Sequence, residues 1–190
     1  LIGRLLEGHR LRASDLEAVA VSKGPGSYTG LRIGVSAAKG IAYGAKIPLI
    51  AVNTLTAMCN GYLAGHPEGL QESTLLCPMI DARRMEVYNA VYRADGTMIR
   101  ETAADIINEK SFSDLLADHP MVFFGNGSEK CRDTITHPNA TFIEGFQLSA
   151  SYLHIPSVNA LRNKHFEDVA YFEPYYLKEF IATIPGKLLP

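Results

Sequence analysis

The most distinctive stretch of the chain is Ser22-Lys23-Gly24-Pro25-Gly26-Ser27-Tyr28-Thr29-Gly30-Leu31-Arg32-Ile33-Gly34. A glycine-rich turn between a strand and a helix presents backbone N–H groups, and the helix dipole adds to their pull on an anion. Gly24, Gly26 and Ser27 are therefore candidates for holding a ligand. The spacing matches no standard phosphate loop. Gly24-x-Gly26 continues to Gly30, so Gly-x-Gly-x-x-Gly fails, and Gly-x-x-x-x-Gly-Lys-Ser/Thr is absent. Pro25 excludes a Gly-x-Ser-x-Gly nucleophile elbow. A shaped turn that feeds a closely packed helix accounts for the same residues.

A second candidate is Asp81-Ala82-Arg83-Arg84-Met85-Glu86-Val87-Tyr88. An aspartate at a strand end can hold a metal or a water, and arginine meets phosphate or carboxylate with two parallel hydrogen bonds. A local ion pair that shapes a hairpin is the other reading of Asp81 and Arg83. Gly125-Asn126-Gly127-Ser128-Glu129-Lys130 reads as a nucleotide-holding helix start or as a plain turn. The six histidines are dispersed, with no His-x-x-x-His or His-Glu-x-x-His, so no metal site is expected. Cys59, Cys77 and Cys131 are odd in number and form no Cys-x-x-Cys, which points to a reducing, cytoplasmic setting. These motifs do not combine into a base, a nucleophile and an oxyanion donor.

The elements that must carry these residues follow from periodicity. Leu1, Ile2, Leu5 and Leu6 are spaced as the end of a helix that stops at Gly8, which suggests that its beginning lies upstream of Leu1. Residues 16–22 and 48–52 read as buried strands, with Ser14 capping a short helical turn before the first. A helix is expected over 29–43, capped by Ser27 or Thr29 and stopped by Gly44. Another is expected from an Asn53 or Thr54 cap to about Leu63. Strand, helix and strand within this span form a βαβ unit with parallel strands. Residues 75–81, 85–92 and 97–102 read as an antiparallel meander with a hairpin at Asp95-Gly96. A helix over 111–117 capped by Ser111, a strand over 121–124, a helix from Ser128 and a short strand over 141–143 follow. From Leu148 the pattern is helical but interrupted at Pro156, regular structure ends at Glu173-Pro174, and the tail around 184–186 is expected to be loose.

The helix over 29–43 is unusual in composition. Gly30, Gly34, Ala37 and Ile41 share one face, and Leu31, Val35, Ala38 and Ala42 the next. Arg32, Ser36, Lys39 and Tyr43 make the polar row. Each interior glycine costs about 1 kcal/mol relative to alanine, so Gly30, Gly34 and Gly40 need a reason. Tight packing onto the helix's own sheet is one; close approach of a helix from another chain is the other.

The chain has 190 residues, 47% hydrophobic and 20% charged, with a formal net charge of −2. This composition fits a folded protein of one domain or two compact lobes. It excludes a basic polyelectrolyte that holds nucleic acid by bulk charge. No apolar run reaches the roughly 18 residues that span a bilayer, so no membrane role is expected.

Five strings occur in order: Gly24-Pro25-Gly26-Ser27-Tyr28-Thr29-Gly30-Leu31-Arg32-Ile33-Gly34, Ala38-Lys39-Gly40, Val52-Asn53-Thr54-Leu55, Asp81-Ala82-Arg83-Arg84-x-Glu86-Val87-Tyr88 and Glu173-Pro174-Tyr175-Tyr176-Leu177-Lys178. Together they resemble the TsaB (YeaZ) family of bacterial proteins required for threonylcarbamoyladenosine at position 37 of tRNA, over nearly the whole chain. The run from Phe172 to Pro185 is similar to the Bacteroidetes branch.

The resemblance implies an α/β, actin-like and Hsp70-like ATPase fold of ribonuclease H-like lobes. It implies that a hairpin, a third strand and most of the first helix precede Leu1. Residues 1–70, with part of 148–172, would form the N-lobe, 73–147 the C-lobe and 173–190 a tail. TsaB-like chains lack the paired metal-binding histidines and complete ATP site of the related transferase TsaD. Here Asp81-Ala82-Arg83-Arg84 likewise stands where an Asp-x-Gly-Gly phosphate turn belongs. The implied role is non-catalytic and without a cofactor: the chain binds and activates TsaD, TsaE docks on the pair, and tRNA is engaged only indirectly. The same helical surface would form a homodimer. On the helix after the glycine loop the implied interface residues are Thr29, Gly30, Arg32, Ile33, Gly34, Ser36, Ala37, Gly40, Ile41 and Gly44. The competing readings are a nucleotide-dependent transferase or ATPase of the same fold, and a glycoprotease, for which neither metal pair nor nucleophile is found.

Overall fold

A computed structural model of the chain describes residues 2–66 and 68–177. Lys178 and the run from Phe180 to Pro185, which contribute to the resemblance, lie outside the described residues, as does the tail expected to be loose.

Helix α1 (Ile2–Gly8) comes first and buries none of its residues. Strand β1 (Val19–Gly24) pairs in parallel with β2 (Leu49–Asn53), and α2 (Tyr28–Ala45) connects them. This is the expected βαβ unit. The first strand begins three residues later than expected: a 3-10 turn over Ala13–Asp15 precedes the run, and Leu16 is taken up in capping that turn. Asp15 holds that turn by accepting from the Arg12 backbone and guanidinium; Ser14 does not cap it.

Helix α2 is capped by Ser27, whose hydroxyl accepts from the Gly30 N–H. Gly44 does not stop it. The helix runs on to Ala45, and Lys46 ends it in a left-handed conformation at φ 57°. Gly44 retains helical geometry because residues on both sides keep their hydrogen bonds.

Helix α3 (Thr54–Ala64) starts at an Asn53 cap. It is apolar on two sides, the pattern of a helix buried between layers. Ala57 joins Ile50 and Val52 in one core, whereas Leu55, Met58, Cys59 and Tyr62 join Leu76, Ile80, Ala90, Tyr92 and Phe124 in another.

The second sheet has the order β5-β4-β3-β6-β7. Strands β3 (Leu75–Asp81), β4 (Glu86–Arg93) and β5 (Met98–Ile106) form the antiparallel meander, with Gly96 at φ 85° in the hairpin. Strands β6 (Met121–Phe124) and β7 (Ala140–Ile143) add in parallel. Side chains of β3 alternate between two cores: Leu75, Cys77 and Met79 face one, Leu76 and Ile80 the α3 side. Such alternation is what a strand buried on both faces requires.

Further boundaries differ from expectation: β5 continues to Ile106, four residues past the expected end at 102, because its pairing with β4 extends to Glu86 opposite Ile106. Helix α4 (Ser113–Asp118) begins after Phe112, not at a Ser111 cap; the Ser111 hydroxyl instead accepts from the Asn108 N–H. After Gly125–Ser128 only a 3-10 turn forms, over Glu129–Cys131. Pro156 does not interrupt α5 (His154–Arg162), because it sits in the first turn, where no N–H is needed. Helix α5 and the 3-10 turn over Ala150–Leu153 pack on β2 and α3 through Tyr152, Leu153, Ala160 and Leu161.

Gly61 allows this packing: a Cβ there would run into the ring of Tyr152. Gly61→Ala should therefore destabilise the fold by about 1–3 kcal/mol from overpacking, although alanine is the better helix former by about 1 kcal/mol. Urea unfolding measures this, and an unchanged or raised midpoint would contradict it.

Candidate functional site

The glycine loop is enclosed by the end of the described chain. Gly24 has φ 116°, and a Cβ on it would come 2.7 Å from the Tyr175 carbonyl oxygen. The Tyr175 N–H donates to the Lys23 carbonyl at 2.7 Å, and the Tyr176 ring lies 4.9 Å from that of Tyr28. Gly24 and Pro25 are buried, Gly26 borders the Leu31 side chain, and Ser27 is committed to its cap. The loop's glycines thus admit a strap of the same chain.

That strap begins where the Glu167 N–H donates to the Leu49 carbonyl and continues past α2, where Lys39 Nζ donates to the carbonyls of Ala170 (3.2 Å) and Phe172 (2.9 Å). Val169 and Phe172 pack with Ala38, Ala42 and Leu49. No periodicity in the sequence pointed to the strap.

Helix α2 is sealed on one side only. Val35, Ala38 and Ala42 are buried on it, and Leu31 is half-buried in the same row. At 100° per residue the opposite row is Ile33, Ala37, Gly40 and Gly44, flanked by Thr29, Gly30 and Ser36. All seven are exposed, Ile33 by 66%. A Cβ on Gly40 or Gly44 would meet nothing within 4 Å. These two glycines are not required by packing within the subunit. Gly34 differs: it is half-buried, and its Cβ would touch Val21 at 3.8 Å. Ile41 is half-buried beside the stripe, Arg32 is exposed and lies over the Tyr28 ring, and Tyr43 is 81% exposed. The exposed stripe thus holds Thr29, Gly30, Ile33, Ser36, Ala37, Gly40 and Gly44 together, with Arg32 at its rim and Gly34 and Ile41 turned partly inward.

At the β3–β4 turn the Asp81 carboxylate accepts from Lys130 Nζ and from the Arg83 N–H at 2.9 Å. Lys130 also donates to the carbonyls of Arg84 (2.6 Å) and Glu86 (2.8 Å). Bonding to Lys130 holds the Asp81 carboxyl below its ordinary 3.8. Arg83 and Arg84 take left-handed φ of 72° and 48°, and their side chains are exposed. The ion pair of this turn was legible as an alternative, but its cation is Lys130, 49 residues away, and not an adjacent arginine. Gly125 and Gly127 let the neighbouring turn approach β3: a Cβ on Gly127 would lie 2.7 Å from the Ile80 carbonyl carbon.

All three cysteines are buried and unpaired. Burial pushes the Cys59 thiol up to about 12 and raises those of Cys77 and Cys131 as well, which disfavours the thiolate. Among the described residues no three or more of His, Cys, Asp and Glu lie close enough to share a metal ion, and no helix is long and apolar enough to cross a membrane.

Comparison with known proteins defines the class first. Residues 1–185 match the family model described as TsaD: tRNA N6-adenosine threonylcarbamoyltransferase. The chain is 32% identical over 184 residues to the tRNA threonylcarbamoyladenosine biosynthesis protein TsaB of Bacillus subtilis, covering 92% of this chain and 75% of that protein. It is 45% identical over 82 residues to TsaB of Escherichia coli, covering 43% of this chain and 33% of that protein. A crystal structure of a Pseudomonas aeruginosa protein described as similar to peptidase YeaZ superposes with a TM-score of 0.76 at 23% identity. It covers 93% of this chain and 81% of that one. YeaZ from the same organism gives 0.71 at 24%, with the same coverage. The fold is therefore the actin-like α/β class expected, and within it the chain belongs to the TsaB (YeaZ) family.

Two outcomes follow. Gly40→Ala should raise unfolding free energy by about 0.5–1 kcal/mol, because the added methyl meets open space and the helix gains propensity; calorimetry that shows a lower midpoint would contradict the packing assignment. Folded Asp81 has a depressed pKa, so its contribution is present above 3.8 and fades as pH falls through the lower folded value. Replacing its partner by Lys130→Met should make the thermal midpoint fall less steeply below about pH 4.

Proposed function

We propose that this chain is a non-catalytic partner that binds and activates a TsaD transferase in threonylcarbamoyladenosine modification of tRNA position 37. The supporting observation is the exposed small-residue stripe on α2, diametrically opposite the sealed row. Glycines in a helix allow another backbone to come close, and close approach is what a helix–helix interface gains from them. The names borne by the relatives, and the match to the TsaD family model, give the reading its biological setting. In it, the stripe receives TsaD or a second copy of this chain, TsaE docks on the heteromeric pair, and tRNA is contacted only indirectly. The buried free thiols fit a cytoplasmic setting.

We divide the molecule into an N-lobe of residues 1–70 with part of 148–172, a C-lobe of 73–147 and a tail of 173–190. The packing of α5 on β2 and α3 supports returning that segment to the N-lobe.

The test is affinity capture with purified TsaD, followed by a threonylcarbamoylation assay on tRNA. Ala37→Trp and Gly40→Leu should weaken capture about tenfold or more while leaving the unfolding midpoint near that of the parent. Gly34→Leu is a poorer probe, since Gly34 borders Val21. Unchanged capture by both variants would defeat the interface assignment. ATP turnover by the chain alone near about 1 per second would defeat the non-catalytic role.

A further inference from the structure

A cleft of 220 Å³ lies where four parts of the chain meet: Lys23 at the end of β1, Asn53 at the β2–α3 junction, Met98, Glu101 and Thr102 on β5, and Tyr175 on the strap. Its floor is rigid. Asn53 Oδ1 accepts from the Leu55 and Thr56 N–H groups at 2.8 and 3.3 Å, and Asn53 Nδ2 donates to Thr102 Oγ1 at 2.9 Å. The Asn53 amide is thereby committed to the protein. What the cleft keeps in reserve is the Lys23 ammonium, the Glu101 carboxylate, the Thr102 hydroxyl proton and the Tyr175 phenol. Among the described residues neither Lys23 nor Glu101 belongs to an ion pair, although the two opposite charges share this one small space.

A lone cation would select an anion, and a lone carboxylate a cation. One of each, lining the same cleft, is complementary to a molecule that carries both charges. We propose that this cleft binds a free α-amino acid, its carboxylate toward Lys23 and its ammonium toward Glu101. Charge-assisted hydrogen bonds of this kind are the strong ones. Thr102 adds a donor for the carboxylate, and Met98 an apolar contact for the side chain. The volume of 220 Å³ admits a free amino acid. Because the strap's Tyr175 forms one wall, occupancy is tied to the strap being seated on β1. This inference does not depend on the docking face of α2, so either can fail alone.

Glycine and L-threonine serve as probes, titrated into the full chain and followed by amide chemical shifts. The expected result is saturable shifts at Asn53, Thr102 and Tyr175 with a dissociation constant of about 1 mM or tighter. N-acetylglycine, which lacks the ammonium, and glycine methyl ester, which lacks the carboxylate, should each bind about tenfold or more weakly. Lys23→Ala and Glu101→Ala should lower affinity to the same degree without altering the far-ultraviolet spectrum or the unfolding midpoint. Absence of saturable shifts with both probes overturns the proposal. Equal binding of the blocked analogues, or variants that bind as the parent does, would show a non-specific site and overturn it as well.

Discussion

Leu31, Val35, Ala38 and Ala42 join α2 to the β1–β2 pair, and the strap from Glu167 to Tyr176 closes the same seam with Val169 and Phe172. The docking face proposed for α2 depends on that one-sided seal. A helix gripped along a single row presents its other face to solvent at a fixed orientation. Val35, Ala38 and Ala42 are buried in that row, whereas each exposed glycine costs the helix about 1 kcal/mol in propensity. The small residues outside can thus be tolerated only because the row inside is well packed.

A second constraint links the two sheets. Asn53 ends β2, caps α3 through two backbone bonds and reaches Thr102 on β5. Thr56 and Tyr92 add a hydroxyl pair at 3.0 Å. Helix α3 itself contributes to a core on each side. The two sheets are therefore not joined by a flexible linker but by a shared buried helix with a polar latch at its start. Relative movement of the two sheets would have to break bonds in partly buried surroundings, where an unpaired donor costs about 1–3 kcal/mol.

Much of this was legible in the residues because it rests on local physics. The βαβ unit, the meander with its Asp95-Gly96 turn and the Asn53 cap all follow from periodicity and turn chemistry. What escaped notice was set by contacts distant in sequence. The strap shows no period, because it is held by isolated carbonyls and by Lys39 rather than by a repeating face. Lys130 could not be assigned to Asp81, since only the fold brings positions 49 apart together. Lys46 and Phe112 adopt left-handed conformations that glycine normally takes, so the helix boundaries beside them moved. On α2 the anomaly of the glycines was visible, but wheel positions alone placed Gly34 and Ile41 in the outward face, and burial against β1 turns Gly34 partly inward.

The groups most capable of chemistry are spoken for by structure. Asp81, which at a strand end could have held an ion, has its charge matched by Lys130 and a backbone N–H. The three thiols sit where burial disfavours the thiolate. The glycine loop receives Tyr175. Each commitment makes the corresponding turn stiffer and less available to a substrate. By contrast, the stripe of α2 and the two charges of the cleft beside β5, which belong to no ion pair, are used by nothing else among the described residues. The rigidity of the interior is what lets the exposed face of α2 keep its shape, which is the property the proposed docking requires.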